Sequence, residues 1–175
     1  MIGIDIFDRS DERTRNRTFD DLRFILADGE SVFDHPLIFW LFWTAKEAVF
    51  KAVRNPISQF FPKKITIILD EKSLEFSSKY ETLVFQGKCI VTNDYVMSYC
   101  HVPHLKTKFS IIHHDIKDWS THIRSIATAD LKKTNQHLKI TIDADGLPMI
   151  AILNLPICFS HHHHQGAYIY PLWHS

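Results

Sequence analysis

The chain of 175 residues has no excess of either charge, with 20 Lys and Arg against 20 Asp and Glu. That balance removes the electrostatic argument for bulk binding to nucleic acid or to a membrane and leaves only a local basic patch open. Long hydrophobic runs are missing too. The richest, Leu37 to Trp43, is seven residues, far below the roughly 18 that suggest a membrane-spanning helix. The cysteines Cys89, Cys100 and Cys158 are scattered without paired spacing, which argues against a disulfide framework and for a reducing compartment. Met1-Ile2-Gly3-Ile4-Asp5 puts an acid where a signal peptide would carry basic residues, so the expected location is the cytoplasm. No short-period repeat, low-complexity linker or clear domain boundary interrupts the chain. What is present, 45% hydrophobic and 23% charged residues, suits one well-buried domain or two small lobes sharing a core.

Trp40 to Ala52 is the most informative stretch. It reads as a helix that starts near Asp34-His35-Pro36, where proline is tolerated in the first turn, and stops at Asn55-Pro56. At about 19 residues it would be roughly 28 Å long. Ile38, Leu41, Phe42, Ala45, Val49, Ala52 and Val53 form one apolar stripe, with Glu47, Lys51 and Arg54 opposite. Trp40, Trp43 and Phe50 share the face of Glu47, which predicts that this face is covered as well. Glu47 and Lys51, one turn apart, are open to two readings. They form a surface ion pair, or Glu47 holds a metal while Lys51 meets a phosphate.

Residues 2 to 7 alternate, which predicts a strand with Ile2, Ile4 and Ile6 on its one buried face and Gly3, Asp5 and Phe7 on the other. Asp5 is then either an exposed aspartate on an edge strand or a group that something large approaches across Gly3. Asp8 to Arg17 is a charged run, read as a loop or solvated turn, whose arginines could also hold a polyphosphate. Phe19 to Leu26 reads as a short helix with Leu22, Ile25 and Leu26 inward. Beyond Pro56 the period drops to 2, and strands are expected over 64–69, 82–91, 95–100 and 108–113, with a turn at Thr92-Asn93-Asp94. Asp118 or Ser120 would cap a helix ending near Thr134-Asn135. Strands at 138–143 and 149–153 flank the turn Ala144 to Pro148, and strand, polar turn, strand follow over 157–170. Consecutive histidines His161 to His164 point to alternate sides of a strand and so cannot all bind one ion. His113-His114-Asp115 is expected in an exposed loop.

Three separated features resemble one family. Gly3-Ile4-Asp5-Ile6, Trp43-Thr44-Ala45-Lys46-Glu47-Ala48-Val49-Phe50-Lys51-Ala52 and Phe159-Ser160-His161 are similar to the G-[IV]-D, [FW]-x-x-K-E-[SA]-x-x-K and [IF]-S-H signatures of the 4′-phosphopantetheinyl transferase superfamily. Asp145-Gly146-Leu147-Pro148 matches its G-x-P turn. The resemblance implies an α+β fold of antiparallel sheets packed with helices, with one transferase-like domain over 1–175 and possible lobes at 1–115 and 116–175. It implies Mg²⁺-dependent transfer of 4′-phosphopantetheine from coenzyme A to a serine of an acyl or peptidyl carrier protein, as in a holo-acyl-carrier-protein synthase. By the same resemblance, Asp5 and Glu47 are the metal ligands, Glu47 and Lys51 the catalytic residues, and Lys51, Ser160, His161, Arg9 and Arg13 contact coenzyme A, with Ser160 holding the turn.

This sequence departs from the family pattern in several places. Phe7 stands where the larger, surfactin-synthetase-activating type carries a third acid. The short type has an arginine where Phe42 stands, and Arg54-Asn55-Pro56 replaces a Gly-x-Gly. The lobes of the larger type appear in swapped order, so the final strand, ending near Leu172, is expected to return beside the first. A monomer with pseudo-twofold lobes and a homo-oligomer, such as the short type's trimer, are both open. Besides the transferase, two alternatives stand: an inactive coenzyme A-binding homologue and a small protein-interaction module.

Overall fold

In the computed structural model, residues 1–12, 17–53, 59–115 and 117–173 are described. The elements in chain order are β1 (Ile2–Asp8), a 3-10 turn (Phe19–Phe24), α1 (Ile38–Val53), a 3-10 turn (Pro62–Lys64), β2 (Thr66–Leu69), β3 (Glu75–Tyr80), β4 (Leu83–Val91), β5 (Tyr95–His101), β6 (Thr107–His113), α2 (Trp119–Thr134), β7 (Ile140–Ile142), β8 (Pro148–Ile150), β9 (Leu155–Pro156), β10 (Cys158–His162) and β11 (Gln165–Pro171). The class is α+β, as expected. Every sheet is antiparallel: five strands in the order β1-β5-β4-β3-β2, then β10-β11-β6 and β7-β8-β9.

β1 corrects the expectation of a single buried face, because all seven of its residues are buried. Ile2, Ile4 and Ile6 pack with Met97 of β5 and with Ala167 and Ile169 of β11, filling the space between two sheets. Gly3, Asp5 and Phe7 face α1. A Cβ on Gly3 would stand 1.8 Å from the Ala48 carbonyl oxygen, so only a residue without a side chain lets helix and strand approach this closely. β1 pairs with β5 alone, yet its outer edge is satisfied by side chains of β10. The Ile6 amide donates to Ser160 Oγ (3.3 Å) and the Asp8 amide to His162 Nδ1 (3.3 Å). Asp5 is therefore only 8% exposed, and the exposed-edge reading falls.

α1 buries its predicted stripe except Val53, which is half-buried, and also buries Phe39, Trp40, Thr44, Lys46 and Ala48. It starts at Ile38, two residues past Pro36, with the Ile38 amide donating to the His35 carbonyl (3.0 Å). The expected stop at Asn55-Pro56 lies outside the described residues. Trp40 stacks on Phe7 (centroids 3.5 Å, 7° between planes), while Trp43 and Phe50 meet Phe60, so the Glu47 face is covered as predicted. Lys46 is fully buried against the Glu30 carboxylate (2.7 and 2.8 Å) and also donates to the Ile65 and Pro62 carbonyls. Glu30 in turn accepts from the Ala27 and Ile67 amides, so this pair joins α1 to the preceding loop and to β2.

The same order of elements recurs after His101: a strand (β6), a 16-residue helix (α2), short strands, and a last strand (β11) that returns beside the first. β6 hydrogen-bonds along its length to β11, which ties it to the C-terminal sheet. α2 is capped by Asp118, whose carboxylate accepts from the Thr121 amide (3.1 Å). The returning strand corrects the final-strand expectation in detail: β11 packs its side chains against β1, but its hydrogen bonds go to β10 and β6. β3 was not foreseen, because its inward residues Phe76 and Ser78 alternate apolar with polar. The strand expected over 149–153 breaks after Ile150 into a turn, where Ile152 and Asn154 take positive φ. None of the three cysteines is in a disulfide, and burial pushes the Cys89 thiol up to about 12. No helix among the described residues is long and apolar enough to cross a membrane.

Candidate active site

Phe39, Trp43, Glu47 and Lys51 recur one turn apart on α1 and line a cleft of about 470 Å³. β1 contributes Asp5 and Phe7, and β10 contributes Ser160, His161 and His162. Gly3 lies at Ala48 and Ala52, Asp5 at Lys51 and Phe7 at Trp40, so β1 runs past the helix from its C-terminal toward its N-terminal end. The cleft consequently has a polar end at Lys51 and an aromatic end at Phe39 and Trp43, with Glu47 between them.

The polar end is a closed triangle. Lys51 Nζ lies 2.6 Å from Asp5 Oδ1 and donates to Ser160 Oγ at 3.1 Å, while Ser160 Oγ donates to the same Asp5 oxygen at 2.8 Å. Ser160 thus accepts from Lys51 and the Ile6 amide and gives its single proton to Asp5. It sits mid-strand on β10, which corrects its expected role of holding a turn. Burial would depress the Lys51 ammonium, but Asp5, followed by Cys158 and Glu47, outweighs it and the net shift is upward. Glu47 is raised to about 6, first by burial and then by the Asp5 charge, with Lys51 opposing. Burial, then Lys51, lowers the His161 imidazole. Burial also lowers His162, against Asp11, Asp8 and Asp5, and its Nδ1 accepts from the Asp8 amide.

Of the expected site residues, Asp5, Glu47, Lys51, Ser160 and His161 all meet in this cleft. Arg9 does not. Its guanidinium donates to the Thr92 carbonyl on the β4–β5 turn, and Arg13 lies outside the described residues. Arg17 instead lines the cleft, its guanidinium 5.4 Å from the Phe39 ring centre. The charged run is also less solvated than expected. Asp8 and Asp11 are buried, and Asp8 accepts from the Ser10 amide and hydroxyl and from the His164 amide. Those hydrogen bonds outweigh burial and leave the Asp8 carboxyl lowered. Sequence reasoning gave no role to Lys46, Trp119 or His162. Two signals for Lys46 were available, its place as the first lysine of the helix signature and the apolar residues around it.

Asp5 and Glu47 carry hard oxygen donors, and the charge of Asp5 helps raise Glu47. Among the described residues no group of three or more His, Cys, Asp or Glu is arranged around one point. Two carboxylates fit Mg²⁺, which keeps several waters and is commonly held by one or two carboxylates together with substrate phosphates. Phe7, packed flat on Trp40, closes the position of a third acid.

The family model of the 4′-phosphopantetheinyl transferase superfamily matches residues 1–100, more than half of the chain. The chain belongs to that superfamily. Enzymes of this superfamily use coenzyme A and Mg²⁺ and act on carrier proteins. The matched span of this phosphopantetheinyl transferase homologue holds Asp5, Glu47 and Lys51, whereas Ser160 and His161 come from the part beyond it. No curated protein and no solved structure gives a significant match to the chain.

Proposed function

We propose that this protein is a transferase of the holo-acyl-carrier-protein synthase type, moving 4′-phosphopantetheine from coenzyme A to a serine of an acyl or peptidyl carrier protein in the cytoplasm. The supporting observation is the convergence of Asp5, Glu47 and Lys51 from one half of the molecule with Ser160 and His161 from the other in a single cleft. The carrier serine Oγ forms the new bond to the phosphorus that bears pantetheine. The bond from that phosphorus to the oxygen of 3′,5′-ADP breaks, and the serine proton passes to Glu47 as the general base. Lys51 contacts the phosphate that stays with the pantetheine. Asp5 and Glu47 would hold Mg²⁺, which when bound neutralises pyrophosphate charge. His161 meets the nucleotide 3′-phosphate. Arg17 is the arginine within the cleft and takes the phosphate-binding place expected of Arg9 and Arg13.

Intact-mass analysis tests this reading. Apo carrier protein incubated with the enzyme, coenzyme A and Mg²⁺ gains one phosphopantetheine, and the gain disappears with Glu47→Gln or without metal. A folded protein that binds coenzyme A but modifies none of several carriers is the inactive homologue. One that ignores coenzyme A is an interaction module.

A further inference from the structure

We propose that Trp119, the first residue of α2, is a positioning residue that orients His161 toward the nucleotide end of coenzyme A. This rests on the reading of His161 above. Three features hold the indole in place. It is 6% exposed, and its Nε1–H donates to the His163 carbonyl in the β10–β11 turn at 2.7 Å. Gly166, the antiparallel partner of His161 in the β10–β11 register, has no side chain where the indole lies. A Cβ there would be 2.4 Å from Trp119 Cζ3. The ring therefore crosses the hairpin over Gly166 and lies parallel to the His161 imidazole, 6° between planes with centroids 6.0 Å apart.

His161 is itself solvent-exposed. Among the described residues no hydrogen bond holds its imidazole, so the Trp119 stack is what restricts its two side-chain torsions. A free imidazole samples several rotamers and must be ordered again each time a phosphate binds, whereas a stacked one is already in place. The device also links the two halves. The helix of the half that brings no carboxylate to the cleft acts on the site through one aromatic face.

Calorimetric binding of coenzyme A and of 3′-dephospho-coenzyme A to wild type, His161→Ala, Trp119→Leu and Trp119→Phe tests the assignment without requiring turnover. Loss of a hydrogen bond to a charged group corresponds to about tenfold or more in affinity. His161→Ala should show that loss in full, whereas Trp119→Leu, which only frees the imidazole's rotamers, should weaken coenzyme A about two- to tenfold, leave dephospho-coenzyme A unchanged, and add nothing further in a His161→Ala background. Trp119→Phe keeps a ring and should retain most of the discrimination, which covers the case in which the leucine variant does not fold. Equal weakening of both nucleotides by the Trp119 variants would show general damage and overturn the proposal. So would loss of discrimination in His161→Ala alone. If His161→Ala leaves discrimination intact, the reading of His161 itself is wrong, and the role of Trp119 goes with it.

Discussion

The molecule's two halves share one plan, yet only one brings carboxylates to the cleft. In the first, α1 is enclosed on nearly all sides: by β1 and β5, by the rings of Phe7 and Phe60, and by Glu30, which pairs with the buried Lys46. In the second, α2 buries a single stripe of Trp119, Ile123, Ala127 and Leu131, with the rest half-buried or exposed. Counted from the helix start, Glu47 and Lys51 of α1 correspond to Thr128 and Lys132 of α2. Lys51 meets a carboxylate in a cleft, whereas Lys132 is exposed. The comparison teaches that enclosure, more than the presence of a charged residue at a given turn, makes the site. Partial burial in the cleft, with the Asp5 charge beside it, raises Glu47 to about 6.

The sharpest way to break this comparison is to substitute both helices. Glu47→Gln should slow transfer by about 10²–10⁴-fold, the usual contribution of a general base, while Lys132→Ala changes the rate less than about twofold. An equal loss from Lys132→Ala would place chemistry in the second half as well. Next in size is the difference between two ion pairs. Lys46→Met strands a buried carboxylate and should destabilise by about 3–5 kcal/mol in chemical denaturation, with Lys46→Met/Glu30→Met recovering much of it. Lys108→Ala removes the more exposed bridge to Asp130 (3.2 Å) and should cost no more than about 1 kcal/mol. If the two single variants melt alike, enclosure of α1 is not what separates the halves.

A smaller effect distinguishes two glycines. Gly3→Ala forces β1 off α1 and should destabilise by about 1–3 kcal/mol or more. Gly146→Ala, with φ +79° and open space around it, meets only backbone strain of about 1–2 kcal/mol. Because Gly3 adjoins Asp5, its variant should also lose transfer activity, and the Gly146 variant should not. Last is pH. With Glu47 raised to about 6 in the metal-free protein, Mg²⁺ must displace its proton, so Mg²⁺ affinity should fall by up to about tenfold per unit below that pH, and that dependence should vanish in Glu47→Gln. The sign for stability is opposite. The folded state binds more protons between 4.5 and about 6, so the ligand-free protein is helped most below 4.5 and loses that contribution as pH rises through 6. A Mg²⁺ affinity flat from pH 5 to 7 would remove Glu47 as a ligand.

Much of this was legible locally. Helical periodicity placed Glu47 and Lys51 on one face together with Trp43, and strand alternation put Asp5 on the side of Gly3, because both patterns depend on neighbours within a few residues. The capping of α2 by Asp118 was read from the same short range. β3 escaped because the buried Ser78 looks like a surface residue, and the Asp8–Arg17 run looked solvated because nothing local announces that Asp8 will bind the His164 amide. Likewise, no spacing rule prefers Arg17 to Arg9 for the cleft.

By itself, then, the sequence determined the two helices, most strands, the family and five of the groups that line the cleft, Asp5, Glu47, Lys51, Ser160 and His161. Tertiary structure alone decided that Asp5 would be enclosed, that Ser160, 155 residues away, would share its proton with it, that Phe7 would close the place of a third acid against Trp40, and that Trp119 would lie beside His161. The reason is physical. Periodicity fixes which way a side chain points within its own element, but these contacts arise where the two halves meet. Their geometry depends on how glycine gaps, aromatic faces and buried charges fit together across the interface.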